Sequence, residues 1–297
     1  MTTNIIKLHK DKKGNIPYLT TILKEIPTNT ILCKTLTGLG ATFGEIKAKR
    51  SSIIVEPNVS TIQCKCADPK HANDNLYGVI EKVGVDDIKE YIVNTKGKYY
   101  KFLVTPESFY KVKEAFKELE LSMYNECFML FDESHKLVKD ADYREGIYLP
   151  LDDFFQFKGK ALVSATPVEL SDPRFKDFQK LVIEPQFDYQ VNIAIQYTNN
   201  TLERFKVTIK ELESDCICIF FNSTDSIYAL MEKVGILDES TVFCAPKSVR
   251  KLKQSLNFKN AYSKFDPKLM KKFNFFTSRF NAGMDIELNY KPDLIML

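Results

Sequence analysis

MLFDESHK, residues 129–136, sets an apolar run directly against two successive carboxylates. The wider run CFMLFDE (127–133) reads as a β-strand, which puts Asp132 and Glu133 at its carboxyl edge, where open α/β sheets hold their ligands. Two acids in that position can divide the work. One suits a Mg2+ ion, often held through water, and the other can polarise a water for attack. His135 completes a D-E-x-H pattern. An acidic pair after a strand is by itself commonly a solvated turn, so its meaning depends on what accompanies it.

Upstream, KTLTGLGATFGEI (34–46) follows the apolar strand TILCK (30–34) and leads into a helix. Gly38 and Gly40 let the backbone approach phosphate oxygens, and the N-terminus of the following helix offers free N–H groups to an anion. The candidate nucleotide loop is Thr37, Gly38, Leu39, Gly40, Ala41 and Thr42, with the Thr42 hydroxyl placed for Mg2+. A working phosphate loop carries lysine between the last glycine and the threonine, and this chain has Ala41. A charge-assisted contact of that kind contributes roughly 1.5–3 kcal/mol. Each loss of about 1.36 kcal/mol from transition-state stabilisation slows a reaction about tenfold. Hydrolysis should therefore suffer unless another cation substitutes, and Lys34 and Lys47 are the candidates nearest in sequence. The plain alternative is a Gly-rich turn. Downstream, LVSATP (162–167) is a strand ending in Ser164, Ala165 and Thr166, informative only because it follows D-E-S-H by about thirty residues.

Working outward, short apolar runs alternate with helical patterns, the sign of strand–helix–strand units and a parallel sheet. Further strands are expected at 51–57, 76–80, 99–106 and 159–167, rich in Ile, Val, Leu and Phe without strict alternation, as in strands covered on both faces. Helices are expected at 85–95 and 106–120, the latter with Phe109, Val112, Phe116 and Leu119 on one face. Residues 180–200 read as an extended crossing into a second unit. That unit repeats the logic, with helices at 201–213, 225–234 and 248–256 and strands at 216–221, 241–246, 274–278 and 293–297. It ends on a strand, so a chain continuing past Leu297 is expected.

The bulk numbers agree with two α/β domains. A length of 297 residues is ample for two, and 44% hydrophobic content supplies real cores. Lys and Arg total 42 against 39 Asp and Glu, so no whole-protein basic field advertises nucleic acid, and any such contact must be a local groove. No run is long enough to span a bilayer, and MTTNIIKLHKDKKGN lacks the apolar core of a signal peptide. A soluble, intracellular (cytoplasmic) protein with no membrane contact is expected. Seven cysteines, an odd number with several inside strands such as CICIFF, suggest reduced thiols and packing roles.

Taken in order, T-G-L-G-A-T (37–42), V-E-P-N (55–58), V-T-P-E-S (104–108), F-D-E-S-H (131–135), S-A-T-P (164–167) and T-S-R-F-N-A-G-M-D-I (277–286) resemble motifs I, Ia, Ib, II, III and V of superfamily-two DEAD/DEAH-box-like helicases. The resemblance covers nearly the whole chain. It implies two RecA-like domains, at 1–185 and 186–297, with ATP and Mg2+ at their cleft and DNA or RNA across their top. Asp132 would be the metal ligand with Thr42, and Glu133 the catalytic base. Ser164, Ala165 and Thr166 would couple hydrolysis to nucleic acid. Pro57, Asn58, Thr105, Pro106, Glu107 and Thr277 would lie near the nucleic-acid backbone, and Gly283 with Asp285 would face the nucleotide. The pattern departs from the family at Ala41 and in having no arginine-bearing motif VI after motif V. Arg279 is a candidate stand-in for that cation, though an ordinary ion-pairing arginine is the commoner case.

Other constellations carry less. Cys64, Cys66 and His71 in QCKCADPKH are spaced too tightly for a zinc knuckle, with no second pair nearby. The basic runs VRKLKQ (249–254) and KLMKKF (268–273) could touch phosphates but equally suit solvated helix faces. Two functions follow: a nucleic-acid-dependent ATPase motor, or a helicase-like protein that turns over poorly and serves as a structural, nucleic-acid-binding or packaged component of a larger complex.

Overall fold

Ile53, Ile54 and Val55 are each all but sealed from solvent, on successive positions of one strand. Successive side chains of a strand point to opposite faces, so burial of all three means that both faces are covered, and here they are. Ile53 and Val55 pack with Phe102, Val104, Met129 and Phe131 on one side, while Ile54 packs with Leu32, Leu103, Leu130 and Val163 on the other. A computed structural model describes residues 1–95, 97–139, 145–190, 193–280 and 288–297 of the chain. They fall into two compact units, Met1–Gln190 and Val191–Leu297.

The first unit holds eight strands: β1 (Thr2–Leu8), β2 (Thr30–Cys33), β3 (Ser51–Val55), β4 (Leu76–Val79), β5 (Lys101–Val104), β6 (Cys127–Phe131), β7 (Gly159–Ser164) and β8 (Gln179–Pro185). Between them run α1 (Ala41–Lys47), α2 (Val59–Ala67), α3 (Val85–Asn94), α4 (Phe109–Glu118) and three short helices, α5 (Met123–Glu126), α6 (Lys136–Lys139) and α7 (Leu151–Gln156). The strand order is β1-β8-β2-β7-β6-β3-β5-β4, with every pair parallel. Because β6 and β7 insert between β2 and β3, the loop after β2 and the acids after β6 open onto one crevice outside the carboxyl ends.

The second unit has β9 (Ile217–Phe220), β10 (Ser240–Phe243), β11 (Ala261–Tyr262), β12 (Phe273–Phe276) and β13 (Asp293–Met296), again all parallel, in the order β11-β10-β12-β9-β13. Helices α8 (Thr201–Glu211), α9 (Thr224–Val234) and α10 (Pro246–Ser255) connect them. Helix α9 shows why the boundaries fall where they do. The Ser223 hydroxyl oxygen accepts from the Ser226 N–H at 3.2 Å, and Gly235, at φ 78°, closes the helix in a conformation that costs glycine little.

The expected α/β class with two mostly parallel, helix-flanked sheets is what forms. Three local differences are instructive. Residues 179–185 form β8, placed inside the first sheet between β1 and β2, where a crossing was expected. β1 was not anticipated because it is an edge strand, mostly exposed and paired on one side only. Cys64 and Cys66, weighed for metal binding with His71, lie on α2, and His71 lies in the short turn after it.

Candidate active site

The loop 34–40 leaves β2 with three residues in the left-handed region: Thr35 at φ 57°, Gly38 at 73° and Gly40 at 74°. At Gly40 the restriction is also steric, since a Cβ there would stand 3.0 Å from Tyr18 Cδ1. The Thr35 hydroxyl donates to the Ile183 carbonyl at 2.6 Å, and the Leu39 carbonyl accepts from the Leu19 N–H at 2.8 Å, so the curl is tied to β8 and to the segment before it. Gly40 caps α1, whose first two residues, Ala41 and Thr42, are buried.

Two strands away, β6 delivers Asp132 and Glu133. Neighbouring strands stand roughly 4.8 Å apart, so β7 leaves about 10 Å for side chains to bridge. Lys34 bridges it. Its Nζ lies 2.9 Å from Glu133 Oε1 and 3.4 Å from Asp132 Oδ1. The Thr42 hydroxyl donates to Asp132 Oδ2, and the Glu133 N–H donates to Asp132 Oδ1 at 2.9 Å, with Glu133 itself at φ 50°. The loop 37–42 and the acid pair thus converge on one spot.

Electrostatics follow from this packing. Burial works against the Asp132 charge, but Lys34, Lys65 and the hydrogen bonds from Thr42 and the Glu133 amide outweigh it and hold its carboxyl below the usual range. For Lys34 burial likewise opposes the charge, and the two carboxylates reverse the balance, raising it above an ordinary lysine. Lys65 was not anticipated. It projects from α2 to Glu56 Oε1 at 2.8 Å and is raised, against its burial, by Glu56 and Asp132. Burial pushes Glu56 up, Lys65 pulls it down, and the Asp132 charge adds to the rise. The signal for Lys65 lay in the C-K-C run, where the cysteines drew the attention and the lysine carries the contact.

Behind the acids, His135 Nδ1 lies 2.9 Å from Ser164 Oγ and 3.3 Å from Glu133 Oε2. Ser164 Oγ also accepts from the Thr166 N–H at 3.0 Å. The loops after β6 and β7 are therefore joined through one imidazole. Ser164 is buried, Ala165 half-buried and Thr166 exposed. Pro57 and Asn58 follow β3, and Thr105, Pro106 and Glu107 follow β5, all on the carboxyl edge. Pro57 and Pro106 line a shallow depression together with Asp132, Glu133 and Lys136. Thr105 is turned inward, its hydroxyl donating to Ser108 Oγ at 3.0 Å. In the second unit Thr277 follows β12, buried, with its hydroxyl donating to the Phe243 carbonyl at 3.4 Å. Arg279 sits half-buried in the turn after it. Gly283 and Asp285 lie outside the described residues.

The donor set at the loop suits Mg2+. A hydroxyl and an ionised carboxylate are hard oxygen ligands, and Mg2+ characteristically takes one or two protein ligands and fills the rest from water and phosphate. Among the described residues no group of three His, Cys, Asp or Glu forms a metal cage of its own.

No protein-family model matches the sequence, and no curated protein matches it. Solved structures do. A variant of Dbp5 from S. cerevisiae, bound to Gle1 and IP6, aligns over 92% of this chain and 72% of its own, at 12% identity and a TM-score of 0.50. Both units are RecA-like. A DEAD box protein from Methanococcus jannaschii aligns over 93% of this chain and 83% of its own, at 14% identity and a TM-score of 0.45. A hypothetical ATP-dependent RNA helicase from Sulfolobus tokodaii covers 87% and 76%, at 16% identity and a TM-score of 0.37. At these identities the likeness is one of fold. Among the described residues, no helix is long and apolar enough to cross a membrane.

Proposed function

We propose that this chain is a helicase-like ATPase core, binding ATP with Mg2+ and coupling its hydrolysis to movement on, or remodelling of, nucleic acid. One observation carries the reading: the Thr42 hydroxyl and the Lys34 ammonium meet the Asp132 and Glu133 carboxylates at the mouth of a glycine loop.

In this reading Thr42 and Asp132 hold the metal, and the left-handed turns at Gly38 and Gly40 aim loop and helix amides at the phosphates. Mg2+ would neutralise charge on the transferred phosphoryl group. Glu133, a quarter exposed and therefore reachable by water, orients the attacking water and accepts its proton. His135 ties Glu133 to Ser164, so a shift in the loop after β7 moves the base. Pro57, Asn58, Thr105, Pro106 and Glu107, on the same edge, are the proposed nucleic-acid side. The buried Ala41 favours a second reading, in which nucleotide binds and turnover is slight.

The test is phosphate release from ATP, with and without single-stranded DNA or RNA, by wild type and by the Asp132→Asn, Glu133→Gln double variant. The motor reading expects stimulation by nucleic acid and at least a hundredfold loss in the variant, the order found when one preorganised electrostatic contact is removed. ATP binding without nucleic-acid-stimulated release supports the second reading. Release that ignores the substitutions contradicts both.

A further inference from the structure

The structure assigns the missing phosphate-loop cation to Lys34: its ammonium, delivered from the end of β2, takes the place that a lysine at position 41 would fill. The inference rests on the nucleotide reading above and sharpens it.

Three observations lead there. The position expected to carry the cation is Ala41, whose side chain is 3% exposed at the first turn of α1 and offers no charge. Lys34 is itself buried, yet its side chain runs past β7 to the acid pair, where Nζ stands within ion-pair distance of both carboxylates. Burying an ammonium carries a desolvation cost that an apolar residue would avoid, and here two carboxylates offset it, so the chain keeps this charge in the pocket. And Lys34 is anchored at its backbone, the N–H donating to the Ser164 carbonyl at 2.9 Å, so the side chain swings from a fixed root.

The charges set the direction of movement. Without nucleotide, one ammonium balances part of the charge on two carboxylates. Thr42 and Asp132 would hold a divalent ion, whose charge would offset the carboxylates in place of the ammonium; Lys34 would then be free to reach its next anion, a phosphoryl oxygen at the mouth of the loop. Lys34 lies nearer Glu133, the proposed base, than Asp132, so the terminal phosphoryl is the group it meets. Lys65 remains committed to Glu56, at 2.8 Å, and serves the pocket as background charge.

The experiment is equilibrium binding of Mg-ATP and Mg-ADP, by titration calorimetry, to wild type, Lys34→Met, Ala41→Lys and the Lys34→Met, Ala41→Lys double variant. Each is first checked for a cooperative thermal transition. Lys34→Met should weaken ATP binding roughly ten- to a hundredfold, the range for a lost charge-assisted hydrogen bond, and ADP binding by less. Moving the cation to position 41 in the double variant should recover most of the loss. A merely structural lysine would weaken both nucleotides alike and gain nothing from the relocation. Wild-type affinity retained by a folded Lys34→Met overturns the inference while leaving the nucleotide reading intact. If Lys34→Met does not fold, Ala41→Lys alone decides. A change in ATP affinity below threefold is expected where Lys34 already fills the role, and a tenfold gain overturns it. Absence of ATP binding in wild type ends both proposals.

Discussion

Among the described residues, six charged ones are buried in the first unit, Lys34, Glu45, Glu56, Lys101, Asp132 and Asp153, whereas the buried polar residues of the second are Ser240, Thr241, Asn274 and Thr277, none of them charged. Both units build parallel sheets from similar strands, so the fold does not require the difference. Around the second sheet one face is aromatic: Phe243 packs on Phe276 at 5.0 Å between ring centroids and on Phe280 at 6.1 Å. Burying an ion is costly unless it is paired. Three of the first unit's ions, Lys34, Glu56 and Asp132, follow directly on the ends of β2, β3 and β6, the edge where open α/β sheets hold ligands, while at the ends of β10 and β12 the second unit carries the aromatic packing of Phe243 and Phe276.

The first unit also contains its own control. At the far end of α1, Lys101 Nζ donates to the carbonyls of Glu45 and Ala48 at 2.7 and 2.9 Å and to Ser52 Oγ at 3.2 Å. Glu45 in turn accepts from Arg50 Nε at 2.9 Å, and the Arg50 guanidinium lies 3.4 Å from the centre of the Phe128 ring. Every donor in that cluster is answered by the protein itself, and it closes the helix C-terminus. The Lys34 cluster is different because its far side is a glycine loop that presents amides and a hydroxyl.

The comparison breaks most sharply at Phe243. Replacing it with Ala should destabilise the second unit by about 3–5 kcal/mol, the usual cost of an aromatic-to-alanine cavity. Hydrogen exchange should then accelerate in β9 and β12 while the amides of β2, β3 and β6 keep their protection. Equal loss of protection in both sheets would mean that the units do not respond separately.

The next effect sharpens it. Burial pulls Lys101 down to about 8 from the ordinary 10.5. Between those values the unfolded chain binds more protons, so the contribution of Lys101 to stability rises with pH, and below the lower value the full penalty stands. The increment is on the order of 3 kcal/mol. Denaturant unfolding at pH 7.5 and pH 10 should show wild type gaining on Lys101→Met across that window. Parallel pH dependences would rule out the assignment.

The main lines of this fold were visible in the sequence because buried parallel strands are continuous apolar runs, and those runs do not depend on context. β6, β2 and β7 fall within the stretches read as strands, and the D-E after β6 and the glycines after β2 follow from their positions. What sequence hid is what depends on neighbours. β1 has the composition of a surface segment because one of its edges faces solvent. β8 looked like a connection because its partners, β1 and β2, are more than 140 residues away in the chain. Lys34 could be named only by proximity, since nothing linear says that a side chain from one strand end reaches past β7 to another. Lys65 was concealed between two cysteines, and its meaning comes from Glu56, nine residues earlier and one turn of the fold away.

The central claim is that Thr42 and Asp132 hold a magnesium ion for a nucleotide in the loop 37–42. Its most direct test is the affinity of the protein for ATP with Mg2+ and with Mg2+ replaced by EDTA, in wild type and in Asp132→Asn. The account predicts that Mg2+ strengthens ATP binding to wild type at least tenfold and leaves Asp132→Asn nearly unchanged. An equal response to Mg2+ in both proteins would contradict it.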